Sequence, residues 1–256
     1  MYGEWRTSKE QYMSEVRRWA SEIGNLQWAA SCDWMCEEYV VASVALEERI
    51  ITYNKHKYRL LIKKLIAKGR KLTAESIRDA KVKACLPLNP GLWQARILVH
   101  QRRTVASYID LMQAAPEIQW LPVIQGYSLH DYMQCVELYY EAGICLHALP
   151  LVGLGSICRR QHTKEAERII REISILGIKL HAFGFKQKGL EQVSDALASA
   201  DSLAWSYQAR RRPALDGCTG HKNCANCLRF ALLWHEKVLG KIQRCVAMSA
   251  QMTFSY

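Results

Sequence analysis

From Trp120 to Ser206 the chain repeats one pattern, a short apolar run followed by an amphipathic segment, and such a pattern calls for a parallel sheet with helical crossovers. "WLPVIQG" reads as a strand, and "SLHDYMQCVELYYEAG" as a helix ending at Gly143. "ICLHALPLVGLGS" reads as the next strand, and "TKEAERIIREISILG" as a helix closed by Gly177. "KLHAFGF", "GLEQVSDALASA" and "DSLAWS" continue as strand, helix and strand. Each strand runs out into polar or glycine residues, namely Gln125-Gly126, Gly153 to Ser156, Gly184 to Lys186, and Ser206. That puts the chemistry at the carboxyl edge of the strands, as in a (β/α) TIM-type barrel. A doubly wound sheet competes with it, but such a sheet usually carries a glycine-rich phosphate loop, and no G-x-G-x-x-G occurs here.

Upstream of this alternation the rhythm is helical. Lys9 to Ile23 spaces Tyr12, Val16, Trp19 and Ile23 along one face, and Gly24 ends it. "LQWAAS" is a short strand leading into "CDWMCEE", and residues 44–84 are helical and basic. Two prolines and a glycine in "CLPLNPGLW" interrupt them before "QARILVHQRRTVASYIDLMQAA" resumes a helix. Eleven Lys or Arg between Lys55 and Lys83, Lys63 and Lys64 among them, face only Glu75 and Asp79, and so supply +9 of the net charge of +11. A basic run this dense suits phosphates, whose neutralisation releases counterions; a solvated helix face is the plain alternative.

With 50% hydrophobic and 23% charged residues in 256, a packed core is expected and disorder is not. No run of about 18 apolar residues marks a membrane span, and "MYGEWRTSKEQ" has no secretory pattern. Ten cysteines in a long, unsignalled chain favour reduced thiols in a bacterial or phage-infected cytoplasm. Four ligand-type residues crowd into "CTGHKNCANC": Cys218, His221, Cys224 and Cys227. Their two-residue spacings let a short loop wrap one tetrahedral Zn2+, with His235 as a reserve ligand. Cys32, Cys36, Cys135, Cys145 and Cys158 stand singly and read as small buried hydrophobes. His147 and His181 lie in strand patterns and read as satisfied core histidines.

Six motifs in fixed order, "CDWMCEE", "LPVIQGY", "LVGLGSICRRQ", "LHAFGFK", "SADSLAWSYQARR" and the Cys/His cluster, resemble the 7-deazaguanine DNA transglycosylases. These are phage and bacterial relatives of the tRNA-guanine transglycosylases, zinc-carrying barrel enzymes that exchange a guanine for a 7-deazaguanine base without breaking the backbone. The resemblance implies that Asp33 reads the purine edge and that Gln125 also touches the base. It implies that Gly153, Gly155 and Ser156 meet the base carbonyl, with Gly184 lining the same site, and that Asp201 is the nucleophile. The tRNA enzymes have a further Asp where this chain has Ala204, and the early "DSGGF"-type motif with its second catalytic aspartate is not found. About five barrel strands are covered, so the chain is expected to be a partial barrel needing upstream sequence or a partner protein. The layout expected is a barrel domain over 1–212, with a basic helical insertion at about 46–92, followed by a zinc-binding segment and helix over 213–256.

The residues themselves fit that chemistry. Base exchange needs a carboxylate to attack C1′ as guanine leaves, and two displacements retain configuration. A carboxylate such as Asp33 accepts from both N1–H and the exocyclic amine of guanine. A duplex target must be flipped out, which favours Trp34 or Trp205 for stacking. Arg159, Arg160, Arg210, Arg211 and Arg212 are expected to hold phosphates near the target. Two rival functions stay open, an RNA-directed transglycosylase and a non-catalytic zinc protein that binds nucleic acid.

Overall fold

The computed structural model describes residue 5 and residues 7–253, with side chains described to residue 243. Residues 1–4, 6 and 254–256, the outermost parts of the expected 1–212 and 213–256 segments, lie outside the described residues. The chain divides into two compact units, residues 1–144 and 145–256.

The first unit is mainly helical. Helix α1, Lys9–Ile23, opens on a capping box between Ser8 and Gln11 and stops at Gly24, whose φ of 72° suits a residue without Cβ. Its expected apolar face is only half used. Of that face Val16 is buried and Tyr12 half-buried, whereas Trp19 and Ile23 are exposed. Strand β1, Ala29–Ala30, pairs in parallel with β2, Trp120–Leu121, and β3, Val123–Ile124, follows directly. The expected strand "WLPVIQG" is thus cut in two at Pro122, which has no N–H to give a ladder.

The basic region resolves into separate helices. Helix α2, Glu38–Glu47, is apolar almost all round, with Val40 to Ala45 buried. Helix α3, Lys55–Ala67, buries nothing and packs on α4, Ala74–Cys85, which in turn packs on α2. Helix α5, Pro90–Ala114, starts with a proline at its first turn under an Asn89 cap. Its buried side chains, from Arg96 and Ile97 through His100, Gln101, Thr104 and Tyr108, recur at helical spacing. Helix α6, Leu129–Glu141, packs against α5.

The second unit holds strands β4, Val152–Leu154, β5, Leu180–Ala182, and β6, Ser199–Ala200, all parallel and in chain order. Helix α7, Lys164–Ile175, links β4 to β5, and α8, Gln187–Val193, links β5 to β6. Ala166, Ile169, Ile170 and Ile173 are buried on α7; each buried isoleucine contributes roughly 1.5–3 kcal/mol. Helices α9, Ala204–Ala209, and α10, Leu228–Thr253, complete the unit, and α10 packs on α8 and α9.

Three expectations are corrected here. "DSLAWS" is not a strand: Ser202 Oγ accepts from Ala204 N at 3.2 Å, and α9 begins there. The last strand is instead Ser199–Ala200, which the helical pattern had absorbed; α8 ends early because Ala198 N bonds to Leu180 O at 2.9 Å. "ICLHALPLVGLGS" is a strand only over Val152–Leu154, preceded by a single turn of tight helix at Leu146–Ala148. His147 and Cys145 therefore lie exposed on that turn, not buried in a strand.

Candidate functional site

Gln125 and Asp33 meet in the first unit. Gln125 follows β3 and is fully buried. Its backbone oxygen accepts from Gln101 Nε2 at 2.8 Å, and the same nitrogen donates to Asp131 O at 2.6 Å, so α5 fixes the end of the strand. Gly126 allows the chain to turn onto α6: a Cβ there would lie 2.7 Å from Tyr132 N. So held, Gln125 donates from Nε2 to Asp33 Oδ2. Asp33 is part-buried, and withdrawal from water pushes its carboxyl up to about 6, opposed by the Gln125 hydrogen bond. Beside it, Trp5, Cys32, Trp34, Arg103 and Asp110 line a cavity of about 330 Å³. Trp34 is set there by its N–H, 3.0 Å from Thr104 Oγ1.

Asp201 belongs to the second unit and follows β6 directly, at the carboxyl edge. Its Oδ1 accepts from Gly184 N at 2.8 Å and lies 3.4 Å from His181 Nε2. The histidine, then the Gly184 N–H, hold the carboxyl below the usual range although burial opposes them. Gly184, with φ of 63°, turns the chain after β5 close to Cys158; a Cβ there would come within 3.2 Å of Cys158 Cβ. Gly153 lies within β4, and Gly155 and Ser156 follow it, all buried. Ser156 has φ of 53°, a left-handed conformation uncommon for a residue with a side chain and found where function fixes the backbone.

The basic residues divide by their partners. Arg160 is tied to Glu165 at 3.4 Å. Arg159 is exposed and shares a cavity of about 340 Å³ with Gln161, His162, Lys186 and Lys188, a set with three cationic side chains and no carboxylate. Gln161 staples the cavity's two loops, Nε2 donating to Cys158 O at 2.8 Å and Oε1 accepting from Lys186 N. Neither Lys186 nor Lys188 stood out in the sequence, where nothing but nearness to Gly184 marked them. Arg210, Arg211 and Arg212 are exposed at the end of α9, with Arg211 stacked 3.5 Å over Tyr207. Lys63 and Lys64 are exposed on α3.

Cys218, His221, Cys224 and Cys227 bring their ligand atoms within 4.8 Å of one another. His221 Nε2 is 3.3 Å from Cys224 Sγ, and that sulfur also accepts from Leu215 N at 3.3 Å. Cys227 sits at the start of α10, where backbone N–H groups of Phe230 and Arg229 hold its thiol below the usual value. Three thiols and an imidazole so gathered fit a tetrahedral ion such as zinc, and His221, not His235, completes the set. Among the described residues no helix is long and apolar enough to cross a membrane.

No curated protein matches this chain. The family model for DpdA, DeoxyPurine in DNA protein A, matches residues 1–68 and 85–254. The unmatched interval between them holds most of α4. With most of its length so matched, the chain belongs to the DpdA family, in keeping with the 7-deazaguanine DNA transglycosylases that its motifs resemble.

Proposed function

We propose that the protein exchanges guanine in DNA for a 7-deazaguanine base through a covalent aspartyl-sugar intermediate on Asp201. The observation that carries this reading is the state of that carboxylate. It stands at the carboxyl end of β6 with its side chain about half exposed, Gly184 N–H donates to Oδ1 at 2.8 Å and His181 Nε2 faces the same oxygen at 3.4 Å, so the carboxylate is both held and reachable, as a nucleophile must be.

In the first displacement an Asp201 oxygen bonds to C1′ while the C1′–N9 bond breaks, and the electron pair leaves with guanine. In the second, the ring nitrogen of the incoming base bonds to C1′ and the pair of the C1′–O bond returns to Asp201. The proton lost by the incoming N–H balances the one gained by the departing guanine, and configuration at C1′ is retained. Asp33 and Gln125 read the purine, the carboxylate accepting from N1–H and the amine; Gly153, Gly155, Ser156 and Gly184 supply backbone to the base. Trp34, on its cavity wall, or Trp205 offers a stacking face for a flipped nucleotide.

Phosphates go to the cavity of Arg159, His162, Lys186 and Lys188, and to Arg210 and Arg211, while the Glu165 pairing makes Arg160 the weaker candidate. Lys63 and Lys64 on α3 add affinity without reading sequence. The strands are compatible with a (β/α) barrel, since β4, β5 and β6 are parallel and stand in chain order. Cys218, His221, Cys224 and Cys227 would hold zinc as a four-ligand structural site, which would supply folding energy and pin the chain after α9 to α10.

Mass analysis of nucleosides from DNA and tRNA, in cells with and without the gene, tests the reading. A 7-deazaguanine deoxynucleoside appearing in DNA only with the gene supports it. A modified base in tRNA alone shifts the substrate to RNA, and no change in either leaves a binding protein.

A further inference from the structure

We propose that His181, oriented by Ser199, is a positioning residue that donates to Asp201 Oδ1 and so selects Oδ2 as the oxygen that attacks C1′. The inference rests on the base-exchange reading and assigns a role to a side chain that the sequence pattern offers only as core.

His181 is the central residue of β5, with a side chain 5% exposed and its ring edge-on to Phe183 at 4.8 Å. Its register partner on β6 is Ser199, and Nδ1 lies 2.8 Å from Ser199 Oγ. A serine hydroxyl can donate to Nδ1, which leaves the ring proton on Nε2. Nε2 is the atom that faces Asp201 Oδ1, at 3.4 Å. That is long for an N–H···O bond, as hydrogen bonds in a reactive site often are before substrate is present. Gly184 N–H reaches the same oxygen at 2.8 Å.

One oxygen of an otherwise exposed carboxylate thus accepts from Gly184 N–H and is faced at 3.4 Å by a buried ring nitrogen that does not reach hydrogen-bonding geometry with it in this state. Fixing Oδ1 orients the carboxylate about its χ angles and presents Oδ2. The contact has a direction in the reaction too. When the incoming base forms its bond to C1′ and the Oδ2–C1′ bond breaks, the returning electron pair spreads over both oxygens, and the donors at Oδ1 stabilise it as it develops.

The test uses the full chain, DNA, and radiolabelled guanine as incoming base. In His181→Leu, kcat falls about tenfold or more, the scale expected for losing a hydrogen bond to a charged group. KM for guanine and DNA affinity stay within about twofold. His181→Gln, which sets an amide N–H near the position of Nε2, recovers most of the rate, and Ser199→Ala loses about threefold. A carbon NMR titration of the Asp201 carboxyl moves upward in His181→Leu. Unchanged kcat in His181→Leu, or equal losses in the Leu and Gln variants, overturns the proposal. If the wild-type chain alone exchanges no guanine, the titration decides the contact, an upward move supporting it and no move overturning it, while the base-exchange reading falls only if the nucleoside analysis finds no modified base with the gene present.

Discussion

Two aspartates, one in each unit, are held in opposite ways. Asp33 is withdrawn from water beside a buried glutamine, and its carboxyl rises to about 6. Asp201 is more than half exposed at the end of β6, and a histidine and a backbone N–H hold its carboxyl low. On the base-exchange reading, one residue type serves two tasks. A nucleophile has to be ionised and reachable, whereas a base reader gains from a dry pocket in which each hydrogen bond counts for more. Environments that push two carboxyls apart suit divided labour, and the proposed division gives each unit one of the two.

The sharpest break of that comparison is Asp201→Asn, which keeps the shape and removes the charge. Base exchange should fall on the order of a thousandfold or more, with DNA binding retained. A covalent adduct trapped on DNA should map to Asp201; an adduct forming equally well in the variant would assign attack to another residue.

Next in size is the metal knot of the second unit. Cys224→Ser, or chelation, should lower the melting temperature by ten degrees or so and release stoichiometric zinc, because structural zinc binding is folding free energy. A melt unmoved by either treatment would remove the metal from the account.

Asp33→Asn should act on recognition, raising KM for the base about tenfold to a hundredfold while leaving measurable turnover. Its pH signature separates it from Asp201. Because the folded-state carboxyl of Asp33 is raised, burying its charge costs stability above about pH 6, and the cost is relieved as pH falls through 6 toward 3.8. Asp33→Asn should thus stabilise the fold modestly at pH 8 and lose that advantage near pH 4. Exchange by the wild type should decline below about pH 6 as Asp33 protonates, and a profile flat to pH 5 would contradict the role.

The smallest effect belongs to the basic helix. Replacing Lys63, Lys64, Arg70 and Lys71 with Gln should weaken DNA binding evenly across sequences and flatten its salt dependence. An unchanged slope would make α3 and the turn after it a solvated face.

Much of the site was legible in linear form. The Cys/His spacing picked out four candidate ligands that the fold does gather, because side chains this close in one loop meet locally. Asp33 and Gln125 were marked by strand ends and by the resemblance, and they do bond to each other across 92 positions. The lining of the basic cavity was not legible, since Lys186 and Lys188 become neighbours of Arg159 and His162 only when two loops are stapled by Gln161.

Periodicity and turn residues alone determined that β and α elements alternate after Trp120, that Gly24, Gly143 and Gly177 end helices, and that strand ends carry the polar residues. Those signals are local, written within one or two turns of chain. Tertiary structure decided where the last strand lies. Ser199–Ala200 pairs with β5 against its helical pattern because Leu180 O and the register partners His181 and Ala182 offer hydrogen bonds that only a neighbouring strand can supply. The same pairing sets Ser199 under His181 and Asp201 beside it, so the surroundings of the proposed nucleophile come from a contact between strands separated by a helix in sequence.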